Sequence, residues 1–164
     1  MTDRIHNLNG KIQRLRAFLA DEDLQIRENN IRTALTKLLK LKEIIGNIDM
    51  DIHFLASCLA NSFLKKKHGV VIDLSKAVGS SGLDIELEEI VAEIKTTSPY
   101  LENDFGAKQK ETIKKDLERL ENSREKYKYF FVVDGKTERI LKRKYSRDYP
   151  SVNIVNLMNE SIEE

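Results

Sequence analysis

The chain carries one cysteine, Cys58, and three histidines in 164 residues. A lone thiol excludes an intramolecular disulfide, and no Cys/His cluster has the spacing of a zinc site. Cys58 lies in the apolar run HFLASCLA, which suits a small buried hydrophobe. Charge of one sign is also missing. The formal net charge is +1, so any electrostatic attraction to nucleic acid has to be local. No apolar run approaches the length of a membrane span, and the opening MTDRIHNLNGKIQRL is too polar for a signal peptide. These absences lead us to expect a cytoplasmic protein with no membrane partner.

What is present describes a globular chain, 40% hydrophobic and 34% charged, with room for one ordinary domain. Ile5, Leu8, Ile12, Leu15 and Leu19 alternate spacings of three and four, a heptad seam. Asp21, Glu22 and Asp23 mark a break and supply acidic residues for a second helix. There Leu24, Ile31, Leu38 and Ile45 recur every seven residues, Leu35, Leu41 and Ile44 widen the stripe, and Gly46-Asn47 ends it. Residues 1–50 are expected to form a helical hairpin that packs on the domain or on a second copy of itself.

A third helix is expected over residues 51–67, burying Ile52, Leu55, Leu59 and Phe63. Lys65, Lys66 and Lys67 fall in its last turn, where cations suit the helix dipole, and Gly69 stops it. From Gly69 the period changes to two. Strands are expected over 70–74, 83–87 and 90–97, with a Gly/Ser loop at 79–82 and a stop at Pro99. Helix resumes over 105–122 with Ile113, Leu117 and Leu120 inward. A fully buried strand at 127–133, a turn at Asp134-Gly135, a helix at 136–145 and a last strand at 152–157 complete the pattern. The order from residue 51 is α-β-β-β-α-β-α-β, which predicts an α/β domain with a central mixed sheet flanked by helices.

The second and third of these strands carry the chemistry. With Glu88-Glu89 at the hairpin tip, Leu87 pairs with Ile90, Glu86 with Val91, Ile85 with Ala92, Asp84 with Glu93, and Leu83 with Ile94. One face then holds Leu83, Ile85, Leu87, Ile90, Ala92 and Ile94, all apolar. The other holds Asp84, Glu86, Val91, Glu93 and Lys95. The register that suits the core therefore sets Asp84 opposite Glu93. Two facing carboxylates repel. Lys95 offsets this in part, and a divalent cation would do more. Oxygen-only ligands suit Mg²⁺, which commonly takes one or two carboxylates with phosphate oxygens and water.

Asp84, Glu93 and Lys95, with AEIKTT around the last two, resemble the PD-(D/E)xK motif of the restriction-endonuclease-like nuclease superfamily. The resemblance covers roughly residues 51–157 and includes the element order; Leu83 stands where the motif has proline. It implies an α-β-β-β-α-β catalytic core over residues 51–164. It also implies Mg²⁺, or Mn²⁺ as a substitute, held by Asp84, Glu93 and the backbone carbonyl of Ile94. Lys95 then orients the attacking water or helps to deprotonate it, and Gln109 stands near the place of a helper residue. The products implied carry 5′-phosphate and 3′-hydroxyl ends.

Between Gly106 and Arg147 there are fourteen basic residues against seven acidic, a local excess hidden in the overall balance. Tyr100 and Asn103, just after the Lys95 strand, are further candidates for backbone contact. The expected activity is a Mg²⁺-dependent DNA endonuclease acting on double-stranded DNA. It would be a type II restriction enzyme working as a homodimer, or a small strand-nicking subunit paired with a larger recognition subunit. A repair or junction-resolving nuclease is the alternative, and a non-catalytic helical interaction module a further one.

Overall fold

The computed structural model describes residues 2–21, 31–74, 82–99 and 104–159. The expected break at Asp21-Glu22-Asp23 falls mostly outside them, as do the start of the second helix, most of the Gly/Ser loop, and Tyr100 and Asn103. The chain divides into two compact units, residues 1–51 and 52–164. In the first, α1 (Thr2–Asp21) and α2 (Ile31–Ile45) form the helices that the heptad spacing predicts. Phe18 is buried there, with the Lys40 ammonium 5.6 Å from its ring centre. Lys11 pairs with Asp51. Helix α2 ends where Gly46 takes φ 59° and its N–H returns to the Lys42 carbonyl.

Helix α3 (Ile48–His68) leads into the second unit and stops at Gly69, φ 72°, whose N–H reaches the Lys65 carbonyl. Then follow β1 (Ile85–Glu86), β2 (Ile90–Lys95), α4 (Ala107–Glu121), β3 (Tyr127–Val132), α5 (Gly135–Tyr145) and β4 (Val152–Asn156). The four described strands form one mixed sheet in the order β1-β2-β3-β4. The first pair is antiparallel and the other two pairs are parallel. Each parallel step needs a crossover, and α4 and α5 supply them. Asp134 caps α5, its Oδ1 accepting from the Thr137 N–H at 2.8 Å.

The sheet is buried on both faces. Ala56, Ala60, Phe63 and Leu64 of α3 cover one face, meeting Ile85, Ile90, Ala92, Ile94, Tyr129 and Phe131. On the other, Ile113, Leu117 and Leu120 of α4 and Ile140, Leu141 and Tyr145 of α5 pack on Val91, Phe130, Val132, Val152 and Ile154. Burying each such large side chain contributes roughly 1.5–3 kcal/mol, which explains why β2 and β3 read as near-continuous apolar runs. No described helix is long and apolar enough to cross a membrane.

Three expectations need correction. Residues 70–74 form no strand. Val70 and Ile72 pack against the α3-side core instead, and the Ile72 N–H is taken by the Asn61 side chain at 2.9 Å. The described core therefore reads α-β-β-α-β-α-β, one strand fewer than expected. The buried stripe of α3 is Phe54, Ala56, Ala60, Phe63 and Leu64, while Ile52 and Leu55 are exposed. That helix is apolar on most sides, and its two alanines allow close approach to the sheet. Cys58 is only half-buried.

Candidate functional site

The hairpin register is the expected one where it forms: Ile85 faces Ala92 and Glu86 faces Val91. The Leu87 N–H closes the tip on the Ile90 carbonyl at 2.8 Å. One step further the ladder changes character. Asp84 lies just before β1, and its Oδ2 accepts the Ile94 N–H at 2.8 Å. A side-chain carboxylate thus takes a strand N–H, which fixes Asp84 beside the Glu93–Lys95 segment. Leu83 does not pair with Ile94. Its N–H goes to Glu86 Oε1 at 3.0 Å and its side chain joins the core beneath α4 and α5.

Glu93 and Lys95 project from β2 towards the face covered by α4. The sequence places Asp84, Glu86, Val91, Glu93 and Lys95 on that face. It is packed, with Glu93 only 8% exposed and Val91 2%. Lys95 Nζ lies 2.9 Å from Glu93 Oε1 and 2.6 Å from Asp116 Oδ2, which reaches it from α4. Asp116 Oδ2 is buried and meets the ammonium as an ion pair. His53 of α3 lies with Nε2 3.4 Å from Asp84 Oδ2. The structure therefore brings Asp84, Glu93, Ile94 and Lys95 together and adds Asp116 and His53.

Each ionisation follows from this arrangement. Burial raises the Asp84 pKa, but hydrogen bonds from His53 and the Ile94 N–H more than reverse that, and the group sits below its ordinary value. Glu93 is pushed above its ordinary value by burial and then by the charge of Asp84, with Lys95 only partly compensating. Burial alone would lower the Lys95 pKa. The charge of Glu93 and the contact with Asp116 outweigh it, so the ammonium is held protonated.

No group of three or more His, Cys, Asp or Glu among the described residues is arranged to hold a metal by itself. Two carboxylates suffice for Mg²⁺ when water and phosphate complete the shell. Among the described residues, the contacts of Asp84 fall on Oδ2 and that of Glu93 on Oε1. Burial first, and the charge of Asp84 second, raise the Glu93 pKa, and a cation beside the group would act in the opposite direction.

Gln109 lines the same pocket as Lys95. Its Oε1 accepts from the Gly106 N–H at 3.0 Å and its Nε2 donates to the Ser98 carbonyl at 3.1 Å. It caps the start of α4 and ties that helix to the segment after β2. Part of the basic excess is also spent locally. Asp104 pairs with both Lys110 and Lys144, at 2.6 and 2.7 Å, and buried Lys128 donates to the Glu121 carbonyl at 2.6 Å. Lys108, Lys114 and Lys115 of α4 stay exposed.

Compared with protein-family models, curated proteins and solved structures, the chain matches none of them.

Proposed function

We propose that the chain is a metal-dependent phosphodiesterase with a restriction-endonuclease-like core that hydrolyses DNA. Asp84, Glu93, Ile94 and Lys95 are its working residues. The observation that carries this reading is the gathering of Asp84, Glu93 and Lys95 on a sheet face otherwise packed with apolar side chains. Buried charge is costly and tends to mark function. Glu93 and Asp116 both contact the Lys95 ammonium, so two carboxylates share one cation, and the charge of Asp84 lies beside Glu93. That imbalance suits a divalent cation and a phosphate.

Asp84, Glu93 and the Ile94 carbonyl would hold Mg²⁺, with Mn²⁺ as a substitute. When bound, the ion supplies an activated water and neutralises charge that develops on the phosphate. The Ile94 N–H and His53 hold the Asp84 carboxylate in place and charged. Lys95, kept protonated by Glu93 and Asp116, acts as a fixed cation that orients the water and the phosphate, not as the base. Exposed Lys108, Lys114 and Lys115 offer neutralisation along the DNA backbone. A second copy, or a larger recognition subunit, would supply sequence choice.

The test is supercoiled plasmid incubated with the chain and Mg²⁺, alone and with the product of any neighbouring reading frame. Nicking by the chain alone, or double-strand cutting with a second subunit, supports the proposal. Plasmid left intact in every combination, in Mg²⁺ and in Mn²⁺, contradicts it.

A further inference from the structure

In the first unit, α1 carries Arg4, Lys11 and Arg14 at spacings of seven and three, which sets them on one side of the helix. They line an open pocket of about 460 Å³, and Asp51 is the one carboxylate among the described residues around it. The Lys11 ammonium pairs with Asp51, and Arg4 Nη2 donates to the Met50 carbonyl at 3.1 Å. Arg14 folds back along the helix, its Nη1 3.5 Å from where a Cβ on Gly10 would stand. Three cations against one carboxylate leave the pocket positive. Gly10 lies mid-helix with none of the left-handed φ that calls for glycine. A glycine there costs helix stability relative to alanine. Its missing side chain leaves room beside the Arg14 guanidinium, where a ligand can approach the backbone.

We infer that this side of α1 binds the phosphate backbone of DNA, as a contact separate from the lysines of α4. The inference rests on the phosphodiesterase reading for its choice of polyanion. Its own argument is the row of cations. Guanidinium and ammonium groups are the side chains that neutralise phosphates. A rise of 1.5 Å per residue spreads Arg4 and Arg14 over ~15 Å of helix. One DNA strand presents a phosphate every ~3.4 Å along the duplex axis, so the row matches about four phosphates, more than a small anion would use. The surrounding charge agrees, since α1 and α2 together carry eight basic residues against three acidic. Asn7 adds an uncharged hydrogen-bond donor to the lining. Contacts of this kind position the duplex and carry no sequence information.

The test is binding of a fluorescein-labelled duplex to the full-length chain in EDTA, titrated at several salt concentrations. Arg14→Gln is expected to weaken binding about fivefold and to lower the salt slope by about one. Arg16→Gln removes an exposed cation two residues on, hence from the far side of α1, and is expected to stay within about twofold of wild type. Gly10→Glu sets a carboxylate among the cations while replacing glycine by a better helix former, and is expected to weaken binding at least tenfold with the helix intact. Arg14→Gln and Gly10→Glu binding like wild type, or Arg16→Gln as weak as Arg14→Gln, overturn the inference. So does displacement of the duplex by sodium phosphate beyond that by sodium chloride at equal ionic strength, which marks a site for a free anion. Plasmid cleavage in Mg²⁺ is read separately. The expected binding pattern with no cleavage keeps the DNA surface and removes the chemistry. Cleavage with wild-type binding in both α1 variants removes the surface and leaves the phosphodiesterase, and neither binding nor cleavage by wild type removes both.

Discussion

Lys95 of β2 and Asp116 of α4 meet at 2.6 Å where the helix crosses the sheet, and both side chains are largely buried. This pair joins the candidate site to the core. The ammonium that would act on a phosphate is also the group that balances a buried carboxylate of the helix. Chemistry and packing therefore respond together to changes at either residue.

Removing the ammonium should cost stability as well as activity. Lys95→Ala leaves Glu93 and Asp116 without their shared partner, a loss of roughly 3 kcal/mol for a buried pair broken on one side. Thermal melting is expected to show a clear drop in Tm. Millimolar Mg²⁺ should recover part of it, because a cation replaces the missing charge. A Tm equal to wild type would contradict the pairing.

Asp116→Asn should leave the fold intact and lower the Lys95 pKa, since the Asp116 contact is one of the causes that raise it. If Lys95 works as a cation, activity falls as pH rises through its pKa. The alkaline limb of the rate profile is then expected at lower pH in Asp116→Asn than in wild type. An unmoved limb would show that Lys95 does not act through its charge.

The two carboxylates should respond in opposite directions. Asp84 is held below its ordinary 3.8, so its charge contributes stability that is present above that value and lost as pH falls through the folded value. Asp84→Asn is expected to lower Tm at neutral pH. Glu93 is held above its ordinary 4.5, so its charge is destabilising at neutral pH. Glu93→Gln is expected to raise Tm, and the gain should shrink as pH falls through the raised value towards 4.5. Melting curves across that window check both signs.

Asp104 is half-buried and outside the core clusters, and its removal should matter more for binding than for folding. Hydrogen bonds from Lys110 and Lys144 hold its carboxyl far below the usual carboxylate range. Asp104→Ala releases both ammonium groups on the basic side of the domain. DNA affinity is expected to rise and to depend more steeply on salt, by about one further counterion for each lysine that reaches a phosphate. Titration at several salt concentrations gives the slope.

The hairpin was legible because alternation has only one register that buries Ile85, Ile90, Ala92 and Ile94 together, and the same choice fixes Asp84 near Glu93. Helices α4 and α5 were legible for a similar reason, each having a single apolar stripe. Helix α3 itself was legible but its buried stripe was not, because it is apolar on most sides and Ile52 competes with Phe54 for the core. Val70–Val71–Ile72 has strand composition, yet no strand forms there; Val70 and Ile72 cover core residues instead. Asp116 carried a readable signal that composition hides. It stands three residues after Ile113 and one before Leu117, on the inward stripe of α4, where a carboxylate needs a partner. His53 carried none, since its proximity to Asp84 depends on where α3 crosses the hairpin.

The most direct measurement is plasmid relaxation in Mg²⁺ with wild type, Lys95→Ala, Lys95→Arg and Glu93→Gln side by side, each first shown to be folded by melting. Wild type is expected to nick. Lys95→Ala and Glu93→Gln should lose at least a hundredfold, about 2.7 kcal/mol of transition-state stabilisation. Lys95→Arg, which keeps the charge, should retain measurable activity. Cleavage at wild-type rate by folded Glu93→Gln or Lys95→Ala would contradict the account.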